Sequence, residues 1–192
     1  MRAILNGLRR SVLLGVLGAS PVVVASPAAS TGDDVWLNID TRQKTLQVMA
    51  GPQVIDEFDR IAIGRRGASH DQARGDDKTP LGEYRIGWIN ERSRFHRFFG
   101  FTYPNLQIAR RAFDRGLIGG DTLDAIMTAH LRQAVPPQST PLGGRIGIHG
   151  LGSGSQAVHE LFDWTHGCVA LTNRQVDRLA QWVRRGTPVV IR

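Results

Sequence analysis

A mainly β fold with helical insertions and a short helix near the C-terminus is what this sequence predicts, and three features predict it. Short runs rich in branched and aromatic residues, bounded by polar turns, occupy both ends of the chain. Apolar residues recur at helical spacing only in a middle segment and once more near the end. With 192 residues, 41% apolar and 21% charged, the chain can build one domain with a real core and has little room for a second.

The first 25 residues stand apart. Arg2, Arg9 and Arg10 make a basic start, SVLLGVLGASPVVVA is an apolar run broken by Gly15, Gly18 and Pro21, and small residues follow. These are the parts of a secretory signal peptide, with cleavage expected after Ala25. The run is too short and too interrupted for a lasting membrane span, so membrane contact is expected only through this segment before its removal. No cysteine lies near the cut to take a lipid. Residues 26–33 read as a linker and 34–192 as the folded domain.

Within that domain VWLNID (35–40) and TLQVMA (45–50) flank the polar TRQK and read as a hairpin. FDRIAIG (58–64) and GEYRIGWIN (82–90) are further β-rich runs, and the glycine-rich stretch between them reads as a long exposed loop. RFHRFFGF (94–101) reads as core packing rather than an aromatic binding strip. LQIARRAFDRGLI and DTLDAIMTAHLRQ carry helical spacing, with Asp121 as the expected cap of the second helix. VPPQSTPLGG breaks this regularity and leads into a short strand, RIGIHG (145–150). GSGS (152–155) reads as a mobile loop, since no Lys-Ser/Thr ending makes it a phosphate cradle. Asn173 is the expected cap of a last helix that buries Val176, Leu179, Ala180 and Val183 and stops at Gly186, before a final strand in TPVVIR.

Removing residues 1–25 takes away three arginines and no acids, lowering the formal net charge from +7 to +4. The remaining arginines are scattered, with pairs at 65–66, 110–111 and 184–185. Nucleic acid would call for a clustered basic face, and none is visible. An anionic polymer outside the cytoplasm suits this charge better.

Cys168 is the single cysteine. Exported chains usually pair their cysteines, so a lone one is either a buried small hydrophobe or a thiol kept for its chemistry. Its neighbours favour chemistry. His166 and Cys168 are two apart, so in an extended segment they point the same way. Gly167 leaves the backbone between them uncovered, so the Gly167 and Cys168 amides could face the oxygen of an attacked carbonyl. An imidazole suits removal of the thiol proton near neutral pH, and such a partner typically brings a cysteine pKa well below ~8.5. His149 ends a strand and precedes Gly150, whose carbonyl could orient the ring. His149 is therefore the expected base, and His166 is expected to act through geometry and substrate contact. His159 reads as structural. The spacing H-x9-H-x6-H-x-C matches no common zinc signature, so neither a metal nor another cofactor is expected.

IHG, then HGCVALTN, a helix and GTPVVI, with DDKTPLGEYRI and FTYPN upstream, together resemble the catalytic domain of the L,D-transpeptidases (YkuD-type). The resemblance covers roughly residues 34–192. It implies a YkuD-like β-sandwich in which a cysteine attacks the amide after the L-centre of meso-diaminopimelate in a peptidoglycan tetrapeptide stem. The terminal D-alanine leaves and the acyl group passes to an acceptor amine, in cross-linking or remodelling of the wall. By position, Cys168 matches the nucleophile, His149 the base, and Gly150 the residue whose carbonyl orients that base. His166 and Gly167 match the residues that frame the nucleophile and, with Cys168, the oxyanion hole. The periplasm or cell envelope is the implied location, and stem peptides are the implied partner. A thiol hydrolase on the same fold, and a non-catalytic or zinc-binding wall module, are the alternatives. Ala170 departs from the family, where Arg or Asn is usual, and is expected to leave a gap in donor recognition. The insertion at about 106–142 is expected to lie over the cleft and shape the acceptor side.

Overall fold

The computed structural model describes residues 35–192; the expected signal peptide (1–25) and linker (26–33) lie outside the described residues. β1 (Val35–Asp40) and β2 (Thr45–Ala50) form the expected antiparallel hairpin. Its turn is closed by the Asp40 carboxylate, which accepts from the Arg42 and Gln43 amides. The next strand differs from expectation. β3 (Gln53–Phe58) precedes the apolar run, whereas residues 59–64 make only single bridges, Ala62 to Ala170 and Gly64 to Thr165. The reason is that β3 is a mostly exposed edge strand on which even Val54 and Ile55 face outward, while Ile61, Ala62 and Ile63 are buried without a ladder. Their apolarity signalled burial, not a strand.

β4 (Ala68–Ser69) and β5 (Thr79–Pro80) pair in parallel within the segment expected to be an exposed loop, and Gln72, Asp77 and Thr79 of that segment are buried. β6 (Gly82–Ser93) and β7 (His96–Phe101) follow as a long hairpin. The remaining elements are α1 (Leu106–Asp114), α2 (Gly120–Leu131), β8 (Gly147–His149), α3 (Gln156–Leu161), β9 (Val169–Ala170), α4 (Asn173–Leu179) and β10 (Pro188–Ile191).

The strands run in the order β3-β2-β1-β10-β6-β7-β8-β9. β6 belongs to both halves of this row, and its register shifts twice against β7, so the row bends there. The two ends meet where Ala62 and Ala170 exchange backbone hydrogen bonds of 3.0 and 2.7 Å. The result is a β-sandwich closed around one apolar cluster that includes Leu37, Ile39, Phe99, Phe101, Ile148 and Leu171. Each such side chain contributes about 1.5–3 kcal/mol when fully buried.

The helices cap differently from expectation. Gly119, not Asp121, is the N-cap of α2, and Asp121 sits in its first turn. Thr172, not Asn173, caps α4 in a reciprocal capping box with Gln175. Asn173 is thereby released for a different task. α4 also ends at Leu179, so Val183 is buried from a turn and Gly186 lies beyond the helix. Ile108, Ala109, Ala112 and Ile126 of α1 and α2 join the core, so these two helices brace the sandwich and do not cover the cleft. Only the tail of the insertion, at Val135 and Gln138, reaches the cleft. Among the described residues no helix is long and apolar enough to cross a membrane.

Candidate active site

β8 and β9 pair in parallel, with Ile148 opposite Val169 and His149 opposite Ala170. Continuing that register by one residue sets Cys168 opposite Gly147. Alternate residues of a strand share a face, so Cys168 and His149 project to the same side of neighbouring strands. Gly147 has no side chain to stand between them. Both residues line one cleft of about 1010 Å³.

His149 is almost wholly buried. Its Nδ1 lies 2.7 Å from the Gly150 carbonyl. A carbonyl only accepts, so Nδ1 holds the proton and the neutral ring keeps a lone pair on Nε2. Phe95 stacks on the ring at 4.3 Å, Phe98 at 6.1 Å, and Trp164 meets it edge-on at 5.7 Å. Burial pushes the His149 pKa down to about 4; the Gly150 carbonyl opposes this, and the nearby His159 and Arg94 add to it.

The Cys168 Sγ lies 3.6 Å from the Arg145 carbonyl, to which it donates. Burial pushes the thiol up to about 11, opposed by the Gly147 N–H. The direction of this shift runs opposite to the activation expected from an imidazole partner.

His166 is largely exposed and donates from Nδ1 to Asp77 at 2.6 Å. Asp77 also accepts from Arg65 Nε at 2.8 Å. The His166 hydrogen bond first, and the Arg65 bond second, hold the Asp77 carboxyl below the usual carboxylate value. Neither Asp77 nor Thr165 stands out in the sequence. The Thr165 hydroxyl accepts from the Gly167 amide at 3.1 Å and donates to the Cys168 carbonyl at 2.7 Å. The Gly167 amide is therefore engaged, and of the two expected oxyanion donors Cys168 N–H is the one not used in this way. Gly167 has φ +120°, and a Cβ there would come 2.7 Å from the Lys78 carbonyl, which explains the glycine.

Asn173 ties the end of β8 down. Its side chain accepts from the Leu151 and Gly152 amides at 2.8 and 3.0 Å and donates to the Gly152 carbonyl at 2.8 Å. The segment read as a mobile loop is thus pinned at its first glycine, and Ser155 caps α3, a helix not anticipated from sequence. Gly150 is equally constrained, because a Cβ there would meet the Asn173 Oδ1 at 2.7 Å and the Phe95 carbonyl at 2.8 Å.

The aromatic run 94–101 divides along β7. Phe99 and Phe101 are core, while Phe95 and Phe98 line the cleft. Ala170 shares the face of His149 but is fully buried and does not line the cleft. His159 is buried behind Trp164 and accepts from its indole N–H at 3.4 Å. Among the described residues no group of three or more His, Cys, Asp or Glu side chains could hold a metal ion.

A buried imidazole with its tautomer set, next to a thiol in a cleft, can relay the thiol proton to a departing amine. Comparison with known proteins gives a family and a fold. Residues 34–191 match the family model of the L,D-transpeptidase catalytic domain, YkuD. Among solved structures the chain is similar to the helical cell shape determining protein Pgp2 from Campylobacter jejuni, at 26% identity and a TM-score of 0.56, over 82% of this chain and 46% of that one. It also shares its fold with Bd1075 from Bdellovibrio bacteriovorus, at 21% identity and a TM-score of 0.53, over 83% of this chain and 48% of that one. The chain thus spans about half the length of these two structures. No curated protein sequence matches it. The family match extends from the first strand to the last, and the chain belongs to the L,D-transpeptidase (YkuD) family.

Proposed function

We propose that this protein is a cysteine acyltransferase acting on peptidoglycan stem peptides, with Cys168 as nucleophile and His149 as base. The observation that supports this most is the His149 Nδ1–Gly150 carbonyl bond beside a thiol on the adjacent strand, because it leaves Nε2 as the acceptor. As Sγ attacks the stem carbonyl, its proton passes to Nε2 and an Sγ–C bond forms. The C–N bond then breaks, and the departing amine takes the proton from His149. An acceptor amine, or water, returns by the reverse path and frees the thiol. The Cys168 amide would meet the carbonyl oxygen, and Thr165 fixes the turn that presents it. Gly150 and Gly167 serve through their backbones, and His166, held by Asp77, would touch the substrate on the rim of the cleft. No cofactor has a part in this sequence of steps.

Digestion of purified muropeptides, with products identified by mass spectrometry, tests the reading. New dimers are the expected result of transfer, and shortened monomers alone would assign hydrolysis on the same fold. Unchanged muropeptides, together with no carbapenem adduct on Cys168, would leave a non-catalytic wall module instead.

We further propose that the protein is exported and works in the periplasm or cell envelope. A role in cell shape is supported by its likeness to Pgp2, a helical cell shape determining protein. Protein recovered from the envelope should then begin near Ser26 when its N-terminus is sequenced. An intact Met1 terminus in washed membranes would show an uncleaved anchor.

A further inference from the structure

Arg85 on β6 and Arg185 in the loop before β10 strap the same place from opposite sides. Arg85 Nη1 donates to the Gly186 carbonyl at 3.1 Å, and Arg185 Nε donates to the Gly87 carbonyl at 3.0 Å. Each guanidinium is held by the other's stretch of backbone, which leaves its remaining N–H groups for another acceptor. Both border a depression of about 660 Å³ that no acidic residue lines. Other arginines of this chain have carboxylate partners, as in Arg65 with Asp77, Arg97 with Asp177 and Arg178 with Asp56. Arg85 and Arg185 have none among the described residues. Glu83, two residues from Arg85 on β6, lines an adjoining hollow instead. Two cations fixed at one depression without a counter-charge repel each other, and an anionic ligand relieves that repulsion.

The depression adjoins the catalytic cleft. Val135 lines both, and consecutive residues of β6 divide between them, Gly87 lining the arginine depression and Trp88 the cleft. Consecutive Cα atoms are ~3.8 Å apart, so the two spaces meet at that step of the strand. The shared wall is preformed. A Cβ at Gly87 would come 2.7 Å from the Val135 Cγ2, so the tail of the helical insertion lies directly on β6. That tail is fixed on either side of Val135. The Ala134 amide donates to the Ala129 carbonyl at 2.8 Å, and Gln138 Nε2 donates to the Tyr103 carbonyl at 2.6 Å.

Resting on the acyl-transfer reading above, we infer that the depression at Arg85 and Arg185 is an accessory site for the wall polymer, taking a carboxylate that lies outside the reacting stem. A concave site that meets the cleft fits a chain occupying both, and fits a flat lipid surface poorly. The site holds the polymer without touching the reacting amide. It therefore raises the effective concentration of further stems at the cleft and favours intact wall over a free stem.

The test compares purified sacculi with a soluble tetrapeptide stem. Binding of the Cys168→Ala protein to sacculi is followed by co-sedimentation, and turnover of both substrates by the protein with its thiol intact is followed by mass spectrometry. Two exposed charge-assisted contacts correspond to about 10-fold in affinity. Adding R85Q/R185Q is expected to weaken sacculus binding by about that factor and to slow turnover of sacculi, with turnover of the soluble stem unchanged. Raising the salt should weaken binding of the parent more than that of the variant, because exposed charges are screened. Ala134→Glu, on the exposed wall of the same depression, keeps both arginine straps and should reproduce the loss by placing a carboxylate there. Sacculus binding unchanged in both variants would overturn the inference, while turnover of the soluble stem would leave the acyl-transfer reading in place. No turnover of either substrate, with no acyl adduct on Cys168, would overturn the acyl-transfer reading, and co-sedimentation would still decide for or against the site. Binding to phosphatidylglycerol vesicles that R85Q/R185Q abolishes, with sacculus binding unchanged, would overturn the inference in favour of a membrane contact.

Discussion

Cys168→Ala should lose all turnover of stem peptides while its melting temperature stays within a few degrees of wild type. The substitution removes one sulfur, whose polar contacts are the Arg145 carbonyl at 3.6 Å and the Gly147 N–H, so the packing loss is about 1 kcal/mol. For a domain of this size that is about 2–4 °C. The catalytic loss is of another order, because no other thiol exists in the chain to form an acyl intermediate. A carbapenem should add its mass to the wild type and not to the variant. EDTA should change neither activity nor melting. Turnover retained by the variant, or stoichiometric zinc whose removal ends activity, would refute the assignment of the chemistry to Cys168.

His149→Gln should have the second largest effect, and it should appear in two measurements with opposite signs. Glutamine can keep a donor near the Gly150 carbonyl but cannot accept and return a proton, so kcat/KM should fall about 10²- to 10⁴-fold. Stability at acid pH should change the other way. With the folded-state pKa depressed to about 4 from 6.5, the unfolded chain takes up a proton first as the pH falls. The contribution of neutral His149 is thus complete above about pH 6.5 and is lost on descending to about pH 4. Its size is about 3 kcal/mol. Wild-type melting should fall across that window, and the His149→Gln curve should fall less. In the wild type kcat/KM should hold from neutral pH down to about 5 and drop near 4. Alkylation of the free enzyme should keep rising toward pH 11, where the thiol ionises, with no plateau near neutrality. A neutral plateau that the variant loses would instead mean a thiolate–imidazolium pair at rest.

These expectations also mark where sequence reading succeeded and where it stopped. The His149–Gly150 bond joins adjacent residues, and the His166-Gly167-Cys168 turn is contiguous, so both could be inferred from short-range geometry. The outer hairpin and the last strand were legible for the same reason, since alternation and turn residues are local signals. Asp77 lies 89 positions from His166, and no periodicity announces such a bond. β3 escaped notice because an exposed edge strand needs no apolar alternation. The Asn173 side chain was assigned to its own helix, yet it folds Leu151 and Gly152 from 22 and 21 positions away. The direction of the thiol's shift could not be read locally either. A neighbouring imidazole is visible in sequence, whereas the burial that pushes the thiol upward comes from the packed site as a whole.

The parallel pairing of β8 with β9 has one more consequence. Neighbouring strands sit about 4.8 Å apart whatever connects them, so the ladder acts as a ruler between imidazole and sulfur. The covalent path from His149 to Cys168 does not set that spacing, because it detours through α3 and an exposed stretch at 153–158. Contour length and reactive distance are therefore independent quantities in this fold. Segments added at the outer surface of that detour would lengthen the path and leave the ruler unchanged, provided the Gly152 and Trp164 anchors stay in place. The molecule can thus vary what it displays beside the cleft without recalibrating what happens inside it.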